Sequence, residues 1–271
     1  MNHAKSTNIG ENRLTKDLTP IQQHSATKSI LLHLLPGIPI LIGLVLFSNP
    51  FFSNLLGIAV ELKLLVGLSL TILFILAPVQ LGILLYEGKK LNGKLSLKGV
   101  IKYTTKNTLK DYLIYVPIIF VFSVAAFAIV SPAINPIIID TFFSWFPPGY
   151  NLQNIIDPAN FEVIAGYSGV YLLLTIFIIA NGFIGPFVEE LYFRGYLLPR
   201  MGDYAEKWAP VYNVVLFSVY HFFSPWENLT RIIGLIPMVY VVWWKKDIRF
   251  SMLVHILLNT TSGIMILAAI L

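Results

Sequence analysis

Tyr112 to Ser131 reads YLIYVPIIFVFSVAAFAIVS, 20 residues without a single charge. A helix needs about 18 or more such residues to cross a hydrocarbon layer. Further apolar stretches lie at 30–47, 64–86, 163–184, 208–223, 231–244 and 250–271. They are continuous rather than alternating, which predicts helices and argues against the strands of a membrane barrel. The expectation is an all-α polytopic transmembrane helix bundle of seven spans, or eight if Leu55–Leu62 also enters the bilayer. Pro36 and Pro39 predict a kink or an interfacial start in the first span.

The composition agrees. Of 271 residues, 56% are apolar and 12% are charged, with a mean hydropathy of +0.73. Soluble proteins carry about 25% charged residues to coat their surface, and this chain has too few for that. It has no cysteine, which excludes disulfides, thiolate metal sites and a cysteine nucleophile.

The net charge of +5 does not point to nucleic acid, because the lysines lie between the apolar runs. The 87–111 loop holds Lys89, Lys90, Lys94, Lys98, Lys102, Lys106 and Lys110, whereas 132–162 holds only the acids Asp140, Asp157 and Glu162. With seven spans and an internal N-terminus, the inner segments collect 17 of the 19 basic residues, all but Lys63 and Arg231. That asymmetry predicts a multi-pass protein, expected in the plasma membrane with its N-terminus cytoplasmic. Residues 1–28 read as a flexible cytoplasmic tail, since no apolar core follows a basic start as in a secretory signal. Residues 29–162 then form the N-terminal helices and 163–271 a membrane core that carries the chemistry. Membrane lipids and a membrane-associated peptide or protein are the expected partners.

Ionisable residues beside apolar spans are costly and mark candidate sites. The first group is Gly185-Pro186-Phe187-Val188-Glu189-Glu190-Leu191-Tyr192-Phe193-Arg194-Gly195. Pro186 suits the first turn of a helix. Glu190 and Arg194 are four apart and can pair, while Glu189 points about 100° away without an obvious partner. An interfacial helix with solvated acids reads equally well from this segment alone. The second group, Phe217-Ser218-Val219-Tyr220-His221, closes an apolar run. The third, His255-Ile256-Leu257-Leu258-Asn259, puts an imidazole and a carboxamide on one face. Taken singly, the second and third read as hydrogen bonding between helices.

In order, Glu189-Glu190-x-x-x-Arg194, Phe217-x-x-x-His221 and His255-x-x-x-Asn259 resemble the three motifs of the CAAX-protease and bacteriocin-processing family of intramembrane proteases. Phe193 and Gly195 flank the arginine as in that family, and the resemblance covers roughly 165–263. It implies an endopeptidase with no cofactor. Glu189 would be the general base, assisted by His221, while His255 and Asn259 would be the oxyanion donors. Glu190 and Arg194 would hold the helix, and Phe217 would lie at the substrate beside His221.

A zinc-dependent version using Glu189, His221 and His255 is the first alternative. Others are a proton-relaying transporter and a non-catalytic regulator or immunity adaptor. One difficulty accompanies the enzyme reading. A full span over 208–223 would put His221 at the outer end of its helix, far from Glu189.

Overall fold

The computed structural model describes residues 21–57, 62–146, 162 and 165–270. Among them the protein is helical throughout, and the one ladder contact is an isolated bridge between Thr104 and Asp247. Five helices are long and apolar enough to cross a membrane: α1 (Ala26–Phe47), α2 (Lys63–Asn92), α3 (Leu109–Phe142), α4 (Val170–Arg200) and α7, Arg249–Ala269 in its apolar part. Between α4 and α7 lie α5 (Ala209–Val219) and α6 (Asn228–Lys245).

The expected seven helices are thus present, but 208–223 and 231–244 are not full spans by length and composition. The 11 residues of α5 rise about 16 Å, half of a ~30 Å hydrocarbon layer. Polar residues at both ends of α6, Asn228 and Arg231 against Trp243, Trp244 and Lys245, dilute its apolar middle. Of the Leu55–Leu62 segment, 58–61 lie outside the described residues.

Two helices run further than their local sequence predicts. α3 continues through Pro132 and Pro136 to Phe142, about 51 Å at helical rise. A proline removes one backbone donor and tends to kink a helix. Near these two, polar side chains pair: Asn135 donates to Ser131 Oγ at 2.6 Å and accepts from Thr230 of α6 at 3.3 Å. α4 likewise continues through Pro186, where a break was expected, and is wound as π-helix over 178–184 and 190–197. The carbonyls near that proline receive donors from α7. Asn259 Nδ2 donates to Asn181 O at 2.9 Å, and Thr260 Oγ1 to Gly182 O at 3.5 Å. Neighbouring side chains can meet backbone groups freed in this way where water is absent.

α6 packs against both α3 and α5, α7 against α3 and α4, and α1 against α2 and α5. Residues such as Tyr192, Phe193, Val214, Phe217, Met238, Val239 and Val254 fill the centre, while Phe74, Ile118, Ile129 and Leu172 point outward. Apolar side chains facing out along long helices suit a bilayer.

The polar loops gather at one end. Lys102 N donates to Gly195 O, Thr105 N to Lys246 O, and Lys245 Nζ pairs with Asp111 at 2.8 Å. Of the segment read as a tail, residues 1–20 lie outside the described residues. Residues 21–25 are held against the end of α4, through His24 N to Arg200 O and Gln23 to Pro199 O and Gly202 N.

Asp247 ties these loops together. Buried, it accepts hydrogen bonds from the Tyr112 hydroxyl, from Asn107 at 3.0 Å, and from Arg249 N, Nε and Nη2 at 2.8–3.0 Å. Burial alone would raise its pKa, but the bonds from Arg249 and Tyr112 outweigh that and hold the carboxyl below its ordinary range. The stabilisation is fully present above the unfolded value of about 3.9 and is lost as pH falls on through the lower folded value. Asp247→Asn is therefore expected to melt below the wild type at neutral pH, with the gap narrowing on acidification below about pH 4. Melting curves of both proteins in detergent across pH 3–7 check this, and a gap independent of pH would contradict it.

Candidate active site

The half-length of α5 resolves the problem of depth. Counting back from Arg200, the end of α4 in the loop-rich face, Glu189 lies 11 residues into the helix. Counting forward from Ala209, which starts α5 at the same face, Val219 closes the helix 10 residues on and Tyr220 and His221 follow at once. Both arms are about 16 Å long, so the acid pair and the histidine lie at similar distances from the loop-rich face.

A helix that stops inside an apolar bundle leaves carbonyls without partners. Arg231, one of the two exceptions to the basic-residue pattern, answers part of that need. Buried, it donates to Ser218 O near the end of α5, to Asn228 Oδ1 and to Ser224 Oγ, and pairs with Glu227 at 3.3 Å.

Glu189 and Glu190 are 5% and 0% exposed, and both face α7. Glu190 Oε1 lies 3.2 Å from Arg194 Nη1 and accepts from His255 Nδ1 at 2.9 Å. Glu189 Oε2 lies 3.8 Å from His255 Nε2. One imidazole therefore stands between the two carboxylates. Glu189 is not without a partner, since its Oε1 accepts a hydrogen bond from the hydroxyl of Tyr220.

Pro186 does not open a helix, and neither acid sits in a first helical turn, because α4 is continuous there. The helix dipole has no part in stabilising them. Their partners do that work.

Phe217, read as a substrate contact, is 1% exposed and turns toward the site's own side chains. The Arg194 guanidinium lies over its ring at 4.0 Å, and the rings of Phe193 and His221 lie 4.9 Å away. The aromatic face thus receives the buried cation. Its spacing from His221 follows from the end of α5.

His221 is partly exposed. Its Nδ1 lies 2.7 Å from Phe217 O. A carbonyl can only accept, so the neutral ring carries its proton on Nδ1 and leaves a lone pair on Nε2. No hydrogen bond or ion pair joins it to either glutamate, but its ring lies 4.3 Å from that of Tyr220. Asn259 uses one amide proton on Asn181 O, which leaves a second for another acceptor.

The structure therefore brings together Glu189, Glu190, Arg194, Phe217 and His255, with His221 on the same aromatic cluster and Asn259 one helical turn beyond His255. Tyr220 is the residue that sequence reasoning passed over. The available signal was a tyrosine closing an apolar run, because a buried phenol needs an acceptor. Among the described residues, no group of three or more His, Asp or Glu side chains is arranged to hold a metal ion. Glu189, His221 and His255 as they stand do not form a zinc site, so no step is drawn through one.

Glu190 and Arg194 are both fully buried, and removing one member of such a pair costs about 3–5 kcal/mol. Glu190→Gln is expected to lose that much stability, read as a lower melting midpoint in detergent. The double variant Glu190→Gln with Arg194→Met should recover a substantial part, because no unpaired charge remains. A single variant that melts with the wild type would show that the pair contributes nothing.

No curated protein and no solved structure matches the chain. Residues 171–261, a segment that contains all three motifs, match the family described as Type II CAAX prenyl endopeptidase Rce1-like, which supports intramembrane protease activity.

Proposed function

We propose that this protein is an endopeptidase that hydrolyses a peptide bond of a membrane-associated peptide or protein, with Glu189 as the general base. The observation that carries the reading is the setting of Glu189. It is a buried carboxylate in an apolar bundle, with one oxygen held by Tyr220 and the other facing His255 Nε2 across 3.8 Å. A carboxylate in such a place is expensive to keep. Asp247 is saturated with partners, and Glu190 is sealed off with its Oε2 fully buried, whereas Glu189 is 5% exposed and keeps one oxygen without a close donor.

In the proposed reaction, Glu189 Oε2 takes a proton from a water. The bare Nε2 of His221 accepts that water's other hydrogen and orients it. The resulting hydroxide attacks the peptide carbonyl carbon, and the charge that develops on oxygen is met by the remaining amide proton of Asn259. The proton held by Glu189 then passes to the amide nitrogen as the C–N bond breaks, leaving an acid and an amine. Geometry of this kind, with base and oriented water held in advance, is what acid–base and oxyanion catalysis require.

The part given to His255 by family resemblance shifts. Its Nδ1 proton is committed to Glu190, so we assign the ring to holding the two carboxylates at their separation. Glu190 and Arg194 keep their expected structural role. The reading is metal-free: Nδ1 of both histidines is held by protein acceptors, which leaves each Nε2 open to a water or to a metal alike, and among the described residues no three acid or histidine side chains are arranged to hold an ion.

Two outcomes test this. Glu189→Gln should cut the turnover of internally quenched peptides, farnesylated and unmodified, by more than about a hundredfold while the protein still folds and inserts. Near-normal turnover would remove Glu189 as the base. Purified protein should also hold no stoichiometric zinc and keep its activity through chelation and dialysis. One zinc per chain, with activity restored only by metal, would transfer the roles of Glu189, His221 and His255 to a metal centre.

A further inference from the structure

The hydroxyl of Tyr220 belongs to none of the three motifs, yet it makes the closest polar contact that Glu189 has. Its ring is completely buried and fixed on several sides, with Phe193 at 4.8 Å, Phe217 at 5.6 Å and His221 at 4.3 Å between ring centroids. Its backbone is fixed as well. Gly37 of α1 packs so tightly against the Tyr220 carbonyl that a β-carbon there would lie 2.3 Å from the oxygen. This phenol is a donor that cannot swing away.

Near the Tyr220 hydroxyl lies Gln80 of α2, whose side chain is fully buried with neither polar atom hydrogen-bonded. A carboxamide in an apolar wall with neither atom paired is costly. Its N–H groups suit the lone pairs of the phenol oxygen, whose single proton goes to Glu189.

We propose that Tyr220 is the positioning residue of Glu189, backed by Gln80, and that it determines which carboxylate oxygen acts as the base. The proposal rests on the reading of Glu189 as general base. Tyr220 occupies Oε1 permanently, because a phenol keeps its proton at working pH and can only donate toward a carboxylate. Oε2 is left on the His255 side, where a water can be held. Without the hydroxyl, the carboxylate is free to rotate about its last bond and to turn either oxygen toward the water. Misplacement of a catalytic group by a fraction of an ångström is felt in kcat more than in binding.

The test uses the full chain in lipid nanodiscs with the same quenched peptides. Tyr220→Phe removes one oxygen and no packing. It is expected to lower kcat by roughly 10- to 100-fold, with KM within about twofold and a melting midpoint within about 3 °C of wild type. Gln80→Leu should lower kcat by a smaller factor in the same pattern. In a Glu189→Gln background, Tyr220→Phe should cause no further loss, since the two act as one unit.

A Tyr220→Phe protein with wild-type kcat overturns the proposal and leaves the protease reading intact. So does one that loses activity only in step with melting, or only in KM, or to the same extent in the Glu189→Gln background. If the wild type cleaves none of the peptides, the protease reading falls and this proposal falls with it.

Discussion

Inside an apolar bundle, a polar group that finds no partner has no water to turn to. That constraint shapes this protein at several points where its helices depart from regularity. α4 runs through Pro186 because α7 lends it donors at Asn181 O and Gly182 O. α5 stops short with the guanidinium of Arg231 at its end. Each accommodation ties one helix to the next, so the places where the backbone is irregular are also where the bundle is held together.

The same constraint governs the acid pair. Two carboxylates on successive residues repel, and burial makes each more costly. Arg194 compensates Glu190 within one helix, and His255 enters from another to stand between the two acids. Arg194 in turn lies on the face of Phe217, so the charge chain ends on an aromatic quadrupole rather than in solvent. Glu190 is thereby satisfied on one oxygen by two partners, and Glu189 is the acid left with chemical freedom. The π-helical winding over 190–197 falls on this segment, in keeping with the tendency of such turns to occur at functional sites.

The first half of the chain is more than a set of membrane anchors. Gly37 abuts the backbone of Tyr220, and the buried Gln80 lies near its hydroxyl. Tyr192 of α4 donates to Leu32 O of α1 at 2.7 Å, and His33 of α1 meets Asn213 of α5 at 3.1 Å. These contacts come from outside the segment that matches the family, 171–261, and they press α4 and α5 into the relation that brings Glu189 and His221 to one depth.

Much of this was open to reading from the sequence alone. Run lengths such as 112–131 implied helices in a membrane, because hydrocarbon thickness translates directly into residue number. The lysines of 87–110 implied one basic end, and the three spaced motifs named the residues that gather around His255. The i, i+4 pairing of Glu190 with Arg194 was equally legible, since it is a property of one helix. What tertiary structure alone decided is what passes between helices. Pro186 reads locally as a break, and only the donors of α7 make it a continuation. A run such as 208–223 reads as a span until Arg231 and the turn after Val219 end it halfway. Tyr220 reads as one more aromatic residue, and its partner lies 31 positions earlier. Local pattern records how a segment meets water or lipid, but a hydrogen bond across a bundle depends on depth and rotation of two helices, and neither is written in the spacing of one.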